Sequence, residues 1–330
     1  MHRKETINYP LKILVILGPT SSGKSDIAIK LAKKFNGEIV SADSRQIFRG
    51  MDIGTGKIKR DKRFDLEEFS DLSEKGKVEP WTSQGISHYM IDIVSPRTDF
   101  NVAKFKKQAE KIIDDILKRG KLPIICGGTG FWIQAVVDNV NFPEVKPDWK
   151  MRKKLEKYSA EKLFSILKKL DPKRAKTIDS KNKVRLIRAI EIIEFLGKVP
   201  KIPNTKYQIL NTKYQFLQIG LKIPRERLYA NIEKRVFARF KQGMIKEVNN
   251  LHTKTGLFWK KIQSFGLAYL WIPLYLQNKI SKSELIEKVI QAEKNYAKRQ
   301  ITWFKRDKRI KWLASYKEAE KTTKEFLNLG

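Results

Sequence analysis

Residues 13–25 read ILVILGPTSSGKS, and this stretch decides the fold. Residues 13–17 are an unbroken apolar run, the pattern of a strand buried on both faces of a parallel sheet. Eight residues of glycine, hydroxyl and lysine character follow. The periodicity then becomes helical, with Ile27, Ala28, Leu31, Ala32 and Phe35 on one stripe. Asn36 and Gly37 stop that helix, and a second strand opens at Glu38. Strand, loop, helix, strand is a β-α-β unit, and its right-handed crossover implies a parallel sheet. The expectation is an α/β fold: a P-loop NTPase-like parallel sheet core flanked by helices.

Gly18, Pro19, Thr20, Ser21, Ser22, Gly23, Lys24 and Ser25 match G-x-x-x-x-G-K-[ST] in the strand-to-helix context that the motif requires. Such a loop wraps a phosphate with backbone N–H groups, and the following helix N-terminus adds partial positive charge. Lys24 supplies a full charge, and the Ser25 hydroxyl suits Mg²⁺. The residues leave open whether the loop grips ATP or another diphosphate.

Outward from the loop, Ser41-Ala-Asp43-Ser44-Arg45-Gln46 lies at the C-terminal end of the second strand, the edge that faces the ligand crevice in open α/β sheets. Asp43 is placed to accept a proton or hydrogen bond from a ligand, or to cap a turn. Residues 57–87 are polar and weakly periodic, a long surface excursion. A strand over 88–94 carries His88 and Asp92, which reads either as a loose Walker-B ending or as structure. Residues 102–119 form an amphipathic helix. A strand over 122–126 leads into Gly127-Gly128-Thr129-Gly130, whose glycines serve either ligand approach or a tight turn. A further helix starts near Phe131.

The composition changes after Asn141: residues 143–198 are lysine-rich and helical in period, with no convincing strand. They predict an all-helical insertion domain at 141–200, between a first core segment at 1–140 and a core-completing segment at 201–330. Residues 199–215 carry the pentapeptide NTKYQ twice, at 204–208 and 211–215, as a linker or hairpin. A core strand returns at Phe216. Helices follow at about 225–242, 243–252, 264–277 and 283–306, the last opened by a capping box at Ser281 and Glu284. Residues 311–313 form a short edge strand.

The 330 residues are 41% hydrophobic, which excludes a wholly disordered chain. One cysteine, Cys126, excludes a disulfide scaffold and a cysteine-based zinc finger; three scattered histidines argue against a histidine-rich metal site. No apolar run approaches the roughly 18 residues that span a bilayer, so a cytoplasmic protein without membrane attachment is expected. Sixty-nine Lys plus Arg against 36 Asp plus Glu give a net charge of +33, a field that attracts polyanions. In the last helix Lys298 and Lys305, and Arg299 and Arg306, are each seven residues apart and share a face, with Tyr296, Ile301 and Phe304 on the buried stripe. That face suits phosphate contacts or is simply a solvated charge run. Lys181, Arg185 and Arg188 align in the same way.

GPTSSGKS, SADSRQIFRGMDIGTGK, HYMIDIVSP, CGGTGFW, VRLIRAIEI and AKRQITWFKR together resemble the tRNA dimethylallyltransferases of the IPP transferase family, in that family's order over residues 13–313. The resemblance implies transfer of a dimethylallyl group from dimethylallyl diphosphate to the exocyclic N6 amine of the adenine 3′ of the anticodon in tRNA. The alternatives are an adenylate isopentenyltransferase and a P-loop kinase or RNA-stimulated ATPase. It further implies that the loop holds the donor diphosphate with Mg²⁺ on Ser25. Asp43 would accept the amine proton, and Thr20 and Arg225 would contact the leaving diphosphate. The anticodon loop would be gripped by Asp43, Ser44, Arg45, Gln46 and Thr129 of the core and by Val184, Arg185, Leu186, Ile187 and Arg188 of the insertion. Arg152 is matched to a further tRNA contact, and the basic face of the last helix puts Arg299 among the expected tRNA contacts. The sequence departs from the family in a longer 57–87 loop and in apolar Val184 and Ile187, where members often carry glutamine. A monomer is the default.

Overall fold

The computed structural model describes residues 11–61, 80–197, 199 and 213–329. Strand β1 (Leu11–Leu17) pairs in parallel with β5 (Leu122–Gly127) on one side and β6 (Tyr214–Leu221) on the other. With β2 (Gly37–Ala42), β3 (Trp81–Ser83), β4 (Ile86–Tyr89) and β7 (Lys311–Leu313) they form a seven-stranded sheet of order β3-β4-β2-β5-β1-β6-β7. Among the described residues only the β3–β4 pair is antiparallel. The alternation of side chains along β1 explains its unbroken apolar run. Ile13, Val15 and Leu17 enter the core on one face, with Phe105 and Trp132, while Leu14 and Ile16 enter the core on the other, with Leu31 and Ile219.

Helix α1 (Lys24–Lys34) covers the second face with Ala28, Ile29, Leu31 and Ala32. Ile27 and Phe35, expected in the stripe, pack only partly. Helices α2 (Val102–Lys118) and α3 (Gly130–Val137) pack on the first face, α2 starting at Asn101, whose side chain accepts the Lys104 N–H.

Two expectations near the sheet edge are corrected. The strand expected over 88–94 ends at Tyr89, because Met90 (φ 63°) and Asp92 (φ 58°) enter the left-handed region and break the extended chain. The surface excursion over 57–87 is only partly described; residues 80–89 contain the β3–β4 hairpin, turning at Gln84 and Gly85. The Asp61 carboxylate accepts both turn N–H groups, each at 2.8 Å.

Buried Glu38 of β2 receives hydrogen bonds from Arg119 (2.8 and 2.6 Å), Lys121 (2.6 Å) and the Tyr89 hydroxyl (2.9 Å). Burial alone would raise its pKa, but these donors outweigh it and hold the carboxyl at about 2. A depressed folded-state pKa contributes stability that is complete above the unfolded carboxylate pKa and is lost as pH falls towards the folded value. The melting temperature of wild type is therefore expected to fall more steeply between about pH 5 and pH 2 than that of Glu38→Gln. Parallel melting curves over that range would show that the cluster adds no pH-dependent stability.

The chain divides into two compact units, residues 1–137 with 211–330 and residues 138–210. In the second, α4 (Trp149–Leu155), α5 (Ala160–Leu170), α6 (Pro172–Ala175) and α7 (Lys183–Leu196) enclose Leu155, Leu163, Leu167, Leu186, Ile187 and Ile190. Each helix is started by a side-chain cap, from Asp148, Ser159, Asp171 and Asn182 respectively. Lys181 precedes the Asn182 cap, so it does not share a helical face with Arg185 and Arg188 as its spacing suggested. The first NTKYQ copy and the start of the second lie outside the described residues.

After β6 come α8 (Arg225–Lys241), α9 (Met244–Thr253), α10 (Trp259–Ser264), α11 (Ala268–Leu276), α12 (Lys282–Phe304) and α13 (Tyr316–Leu327). The helix expected over 264–277 is interrupted at Gly266 (φ 71°) and Leu267 (φ 51°). The α12 capping box forms as expected, with Ser281 Oγ accepting the Glu284 N–H at 3.2 Å. No helix among the described residues is long and apolar enough to cross a membrane.

Candidate active site

The loop 18–25, the 43–46 turn after β2 and the 127–130 turn after β5 all stand at the C-terminal edge of the sheet, and a cleft opens there. Its walls include Thr20, Lys24, Ser25, Asp43, Arg45, Gln46, Arg235, Arg239, Glu293, Tyr296 and Gln300. The edge is the expected place: parallel strands all deliver their C-terminal loops to one side.

Within the loop Lys24 donates to the Pro19 carbonyl at 3.2 Å, and burial pushes its pKa below the usual lysine range. The Ser22 hydroxyl is buried with no hydrogen-bond partner among the described residues, as suits a donor kept for a ligand oxygen. Thr20 is fixed from two sides. Its N–H donates to Gln300 Oε1 at 2.8 Å, and its hydroxyl accepts from Arg235 Nη1 at 3.0 Å.

Asp43 lines the same cleft as the loop. Its Oδ1 accepts the Arg45 N–H at 2.9 Å and the Gln46 N–H at 3.4 Å, so the carboxylate caps its own turn while also facing the cleft. The two readings of Asp43 are therefore compatible. Thr129 Oγ1 accepts the Ser44 N–H at 3.0 Å, tying the 127–130 turn to the 43–46 turn. The Arg45 guanidinium lies 5.0 Å from the centre of the Tyr296 ring and donates to the Phe265 carbonyl at 2.7 Å.

The glycines after β5 serve a close approach, but to protein. A Cβ on Gly128 would lie 2.2 Å from Gln300 Nε2, which donates to the Gly128 carbonyl at 2.8 Å. Gln300 thus spans the phosphate loop and the 127–130 turn. Gly56 (φ 62°) is the second close approach, since its Cβ would meet Arg235 Nη2 at 2.0 Å. Its carbonyl accepts from Arg235 and from Gln46, each at 3.3 Å. Glu247 of α9 holds this segment by accepting the N–H groups of Asp52 (2.7 Å), Ile53 (2.6 Å) and Gly54 (3.0 Å), and Tyr269 donates to the same carboxylate at 2.8 Å.

Electrostatically the cleft is built for an anion. Lys24, Arg45, Arg235 and Arg239 face Asp43 and Glu293. Arg239 is matched by Glu293 at 3.0 Å, whereas Arg235 makes no ion pair among the described residues. Burial, and then the adjacent Arg239 cation, bring the Arg235 pKa down to about 10, so it is still charged at neutral pH. A partly buried guanidinium without an ion pair is costly unless a ligand supplies the charge. Cys126 also lines the cleft, but burial pushes its thiol up to about 11 and leaves it a poor nucleophile.

Several sequence expectations are relocated. Arg225, expected at the diphosphate, begins α8 on the exposed surface with its guanidinium 5.1 Å from the Tyr229 ring centre; the arginine in the cleft is Arg235, almost three turns along the same helix. Asp92 lies outside the cleft and pairs with Lys57. His88 is buried in the cleft wall with Nδ1 2.9 Å from the Ile86 carbonyl of its own strand. In the helical unit Leu186 and Ile187 are core residues, since the apolar stripe of α7 runs through them, so their side chains are covered instead of open to a ligand. Val184 and Arg185 are exposed. Arg152 and Arg188 both pair with buried Glu191, and Arg188 also donates to the Val145 carbonyl at 2.9 Å. On α12 the buried positions are Leu285, Val289, Glu293, Ala297, Gln300 and Phe304, with Tyr296 in the cleft wall instead of the core. The helix ends at Phe304, so Lys305 and Arg306 do not continue the basic face of Lys298 and Arg299.

Sequence reasoning missed Arg235, Arg239, Glu293 and Gln300. The available signal was polar residues at core spacing: Arg235 and Arg239 are four apart on α8, and Glu293 and Gln300 are seven apart on the buried stripe of α12. We expect Arg235→Gln to weaken donor binding and turnover, and Arg225→Ala to leave both near wild type. Donor titrations and single-turnover rates compare them directly, and the reverse order of effects would return the role to Arg225.

A phosphate-loop sequence at the C-terminal edge of a parallel sheet, with a carboxylate and a partly buried arginine that has no ion pair among the described residues lining the same cleft, defines a P-loop-like α/β protein with an anion-binding cleft. The family model described as "IPP transferase" matches residues 46–307, and that described as "Isopentenyl transferase" matches residues 11–67. The chain is 41% identical over 305 residues to the tRNA dimethylallyltransferase of Acetivibrio thermocellus, covering 91% of each chain. It is 40% identical over 329 residues to the tRNA dimethylallyltransferase of a Thermoanaerobacter species, covering 96% of each. Among solved structures it resembles the tRNA delta(2)-isopentenylpyrophosphate transferase of Staphylococcus epidermidis, with a TM-score of 0.65, 35% identity, and coverage of 96% of this chain and 99% of that one. A eukaryotic dimethylallyltransferase acting on tRNA matches with a TM-score of 0.68 and 25% identity, over 89% of this chain and 70% of that one. The chain belongs to the IPP transferase family.

Proposed function

We propose that the protein transfers the dimethylallyl group of dimethylallyl diphosphate to the N6 amine of the adenine 3′ of the anticodon in tRNA. The observation that carries this reading is the convergence of Lys24, Thr20, Arg235 and Asp43 on a single cleft. The amine nitrogen bonds to the allylic carbon. The carbon–oxygen bond to the diphosphate breaks, and diphosphate leaves with the bonding electrons. The amine proton goes to Asp43. Charge grows on the leaving diphosphate, where Lys24, the Thr20 hydroxyl and Arg235 act and where electrostatic catalysis is effective. The adenine leaves its stack to enter the cleft.

Mg²⁺ belongs to this reading. The hard oxygen donors of Ser25 and the donor diphosphate suit it, and Ser25 lines the cleft beside Lys24. The ion would offset diphosphate charge.

Incubating the enzyme with dimethylallyl diphosphate and tRNA, AMP or no acceptor tests the function. Prenylated tRNA with no ATP consumed is expected. Prenylated AMP alone, or ATP hydrolysis without prenylated tRNA, would overturn it. Arg185 and Arg299 are exposed cations on their respective helices. Replacing either with Ala should weaken tRNA binding without changing donor affinity. The slope of log affinity against log salt should flatten by up to about 0.9 for each phosphate that is no longer neutralised. An unchanged slope identifies solvated surface charges.

A further inference from the structure

Trp149 opens α4 with its side chain exposed, the residue being 62% accessible. Large apolar side chains left open to water need an explanation when they are held in place, and Trp149 is held. The Arg152 guanidinium lies 5.2 Å from its ring centre. Arg152 is itself fixed in a bidentate pair, Nε to Glu191 Oε1 at 2.9 Å and Nη2 to Glu191 Oε2 at 2.8 Å, and Glu191 is buried. A buried carboxylate therefore orients an arginine, and that arginine braces one face of an indole. The rest of the ring is open.

The charge around the ring states what could use it. Between residues 146 and 157 there are six Lys or Arg and two Asp or Glu. Lys153 is four residues after Trp149 on the same helical face, and Lys150 and Lys154 are exposed nearby. A flat apolar surface framed by cations matches an unpaired nucleobase attached to its phosphate, because any base can stack on the ring while the phosphates meet the lysines. An apolar protein partner would leave that cationic frame without anions.

We propose that Trp149 is a stacking platform for an unpaired nucleotide of the RNA substrate, braced from behind by Arg152 and Glu191. This rests on the tRNA reading above and assigns Arg152 an indirect role: its guanidinium is committed to Glu191 and the indole, so it orients Trp149.

The test uses the full-length enzyme with two RNA probes, an anticodon stem–loop and a perfect duplex of equal length. Trp149→Ala should weaken stem–loop binding about 5- to 100-fold, the usual range for removing one base–aromatic stack. Duplex binding should not change, since a duplex offers no free base. Trp149→Phe should keep most of the affinity. The salt slope for Trp149→Ala should match wild type, because every phosphate keeps its cation. Unchanged stem–loop affinity in Trp149→Ala, or equal weakening for the two probes, overturns the proposal, as does a flattened salt slope. Failure of the wild-type enzyme to bind the stem–loop at all instead removes the tRNA reading beneath it. Because Trp149 is mostly exposed, the Ala variant should melt with wild type, and the Phe variant supplies the control if it does not.

Discussion

Asp43→Asn should lower the single-turnover rate by about 10² to 10⁴-fold, the range for loss of a general base, and leave dimethylallyl diphosphate affinity nearly intact. The asparagine side chain matches the aspartate in shape. Its Oδ1 can still accept the Arg45 and Gln46 N–H groups that the carboxylate now holds at 2.9 and 3.4 Å. The turn should therefore persist, and the variant should melt with wild type. The amide nitrogen cannot take the proton released when the amine is alkylated. Donor affinity should survive because Lys24, Thr20 and Arg235, which face the diphosphate in this reading, do not hydrogen-bond Asp43. A pure capping role predicts lower stability with a normal rate per folded molecule; Asp43→Ala, which removes cap and base together, separates that contribution. A metal-ligand role predicts partial rescue at high Mg²⁺. Single-turnover chemistry close to wild type in Asp43→Asn would falsify the assignment of Asp43 as base.

Lys24→Ala should reduce kcat/KM for the donor by about 10² to 10³-fold, comparable with the loss of one donor at a developing oxyanion. Lys24 is partly buried and desolvation is the first cause that lowers its pKa, so the charge is held at a cost that a bound diphosphate offsets. Alanine removes the charge without altering the backbone that wraps the phosphate. Arg235 remains, which is why some binding should survive. Lys24→Arg should rescue poorly, since a planar fork does not replace a compact ammonium in a closed loop. Normal donor affinity and turnover in Lys24→Ala would make the loop a structural turn.

Both predictions concern residues legible in the sequence, and the reason is locality. The run 13–17, the loop 18–25 and the α1 stripe lie within one β-α-β unit, where a window of a few residues contains the relevant physics. Helix caps were legible for the same reason: Ser281 with Glu284 satisfies backbone donors three residues away. Local reading failed where one element carried two demands. On α12 the core stripe includes Glu293 and Gln300, which a hydrophobicity pattern treats as surface. On α7 the stretch matched to tRNA contact alternates exposed Val184 and Arg185 with core Leu186 and Ile187, because a helix turns successive residues to different faces.

The sequence by itself determined the parallel α/β core, the phosphate loop, the position of Asp43 at a strand end and a helical insertion, since each follows from short-range periodicity, turn chemistry or chain direction. Only the tertiary structure decided that Arg235 and not Arg225 enters the cleft. Only it decided that Gln300 holds Thr20 from 280 residues away, and that Glu247 holds the 52–54 backbone from almost 200 residues away. Those contacts depend on which face of α8, α9 and α12 the packed sheet turns towards its C-terminal edge. Packing fixes that orientation, and no local window of the sequence contains it.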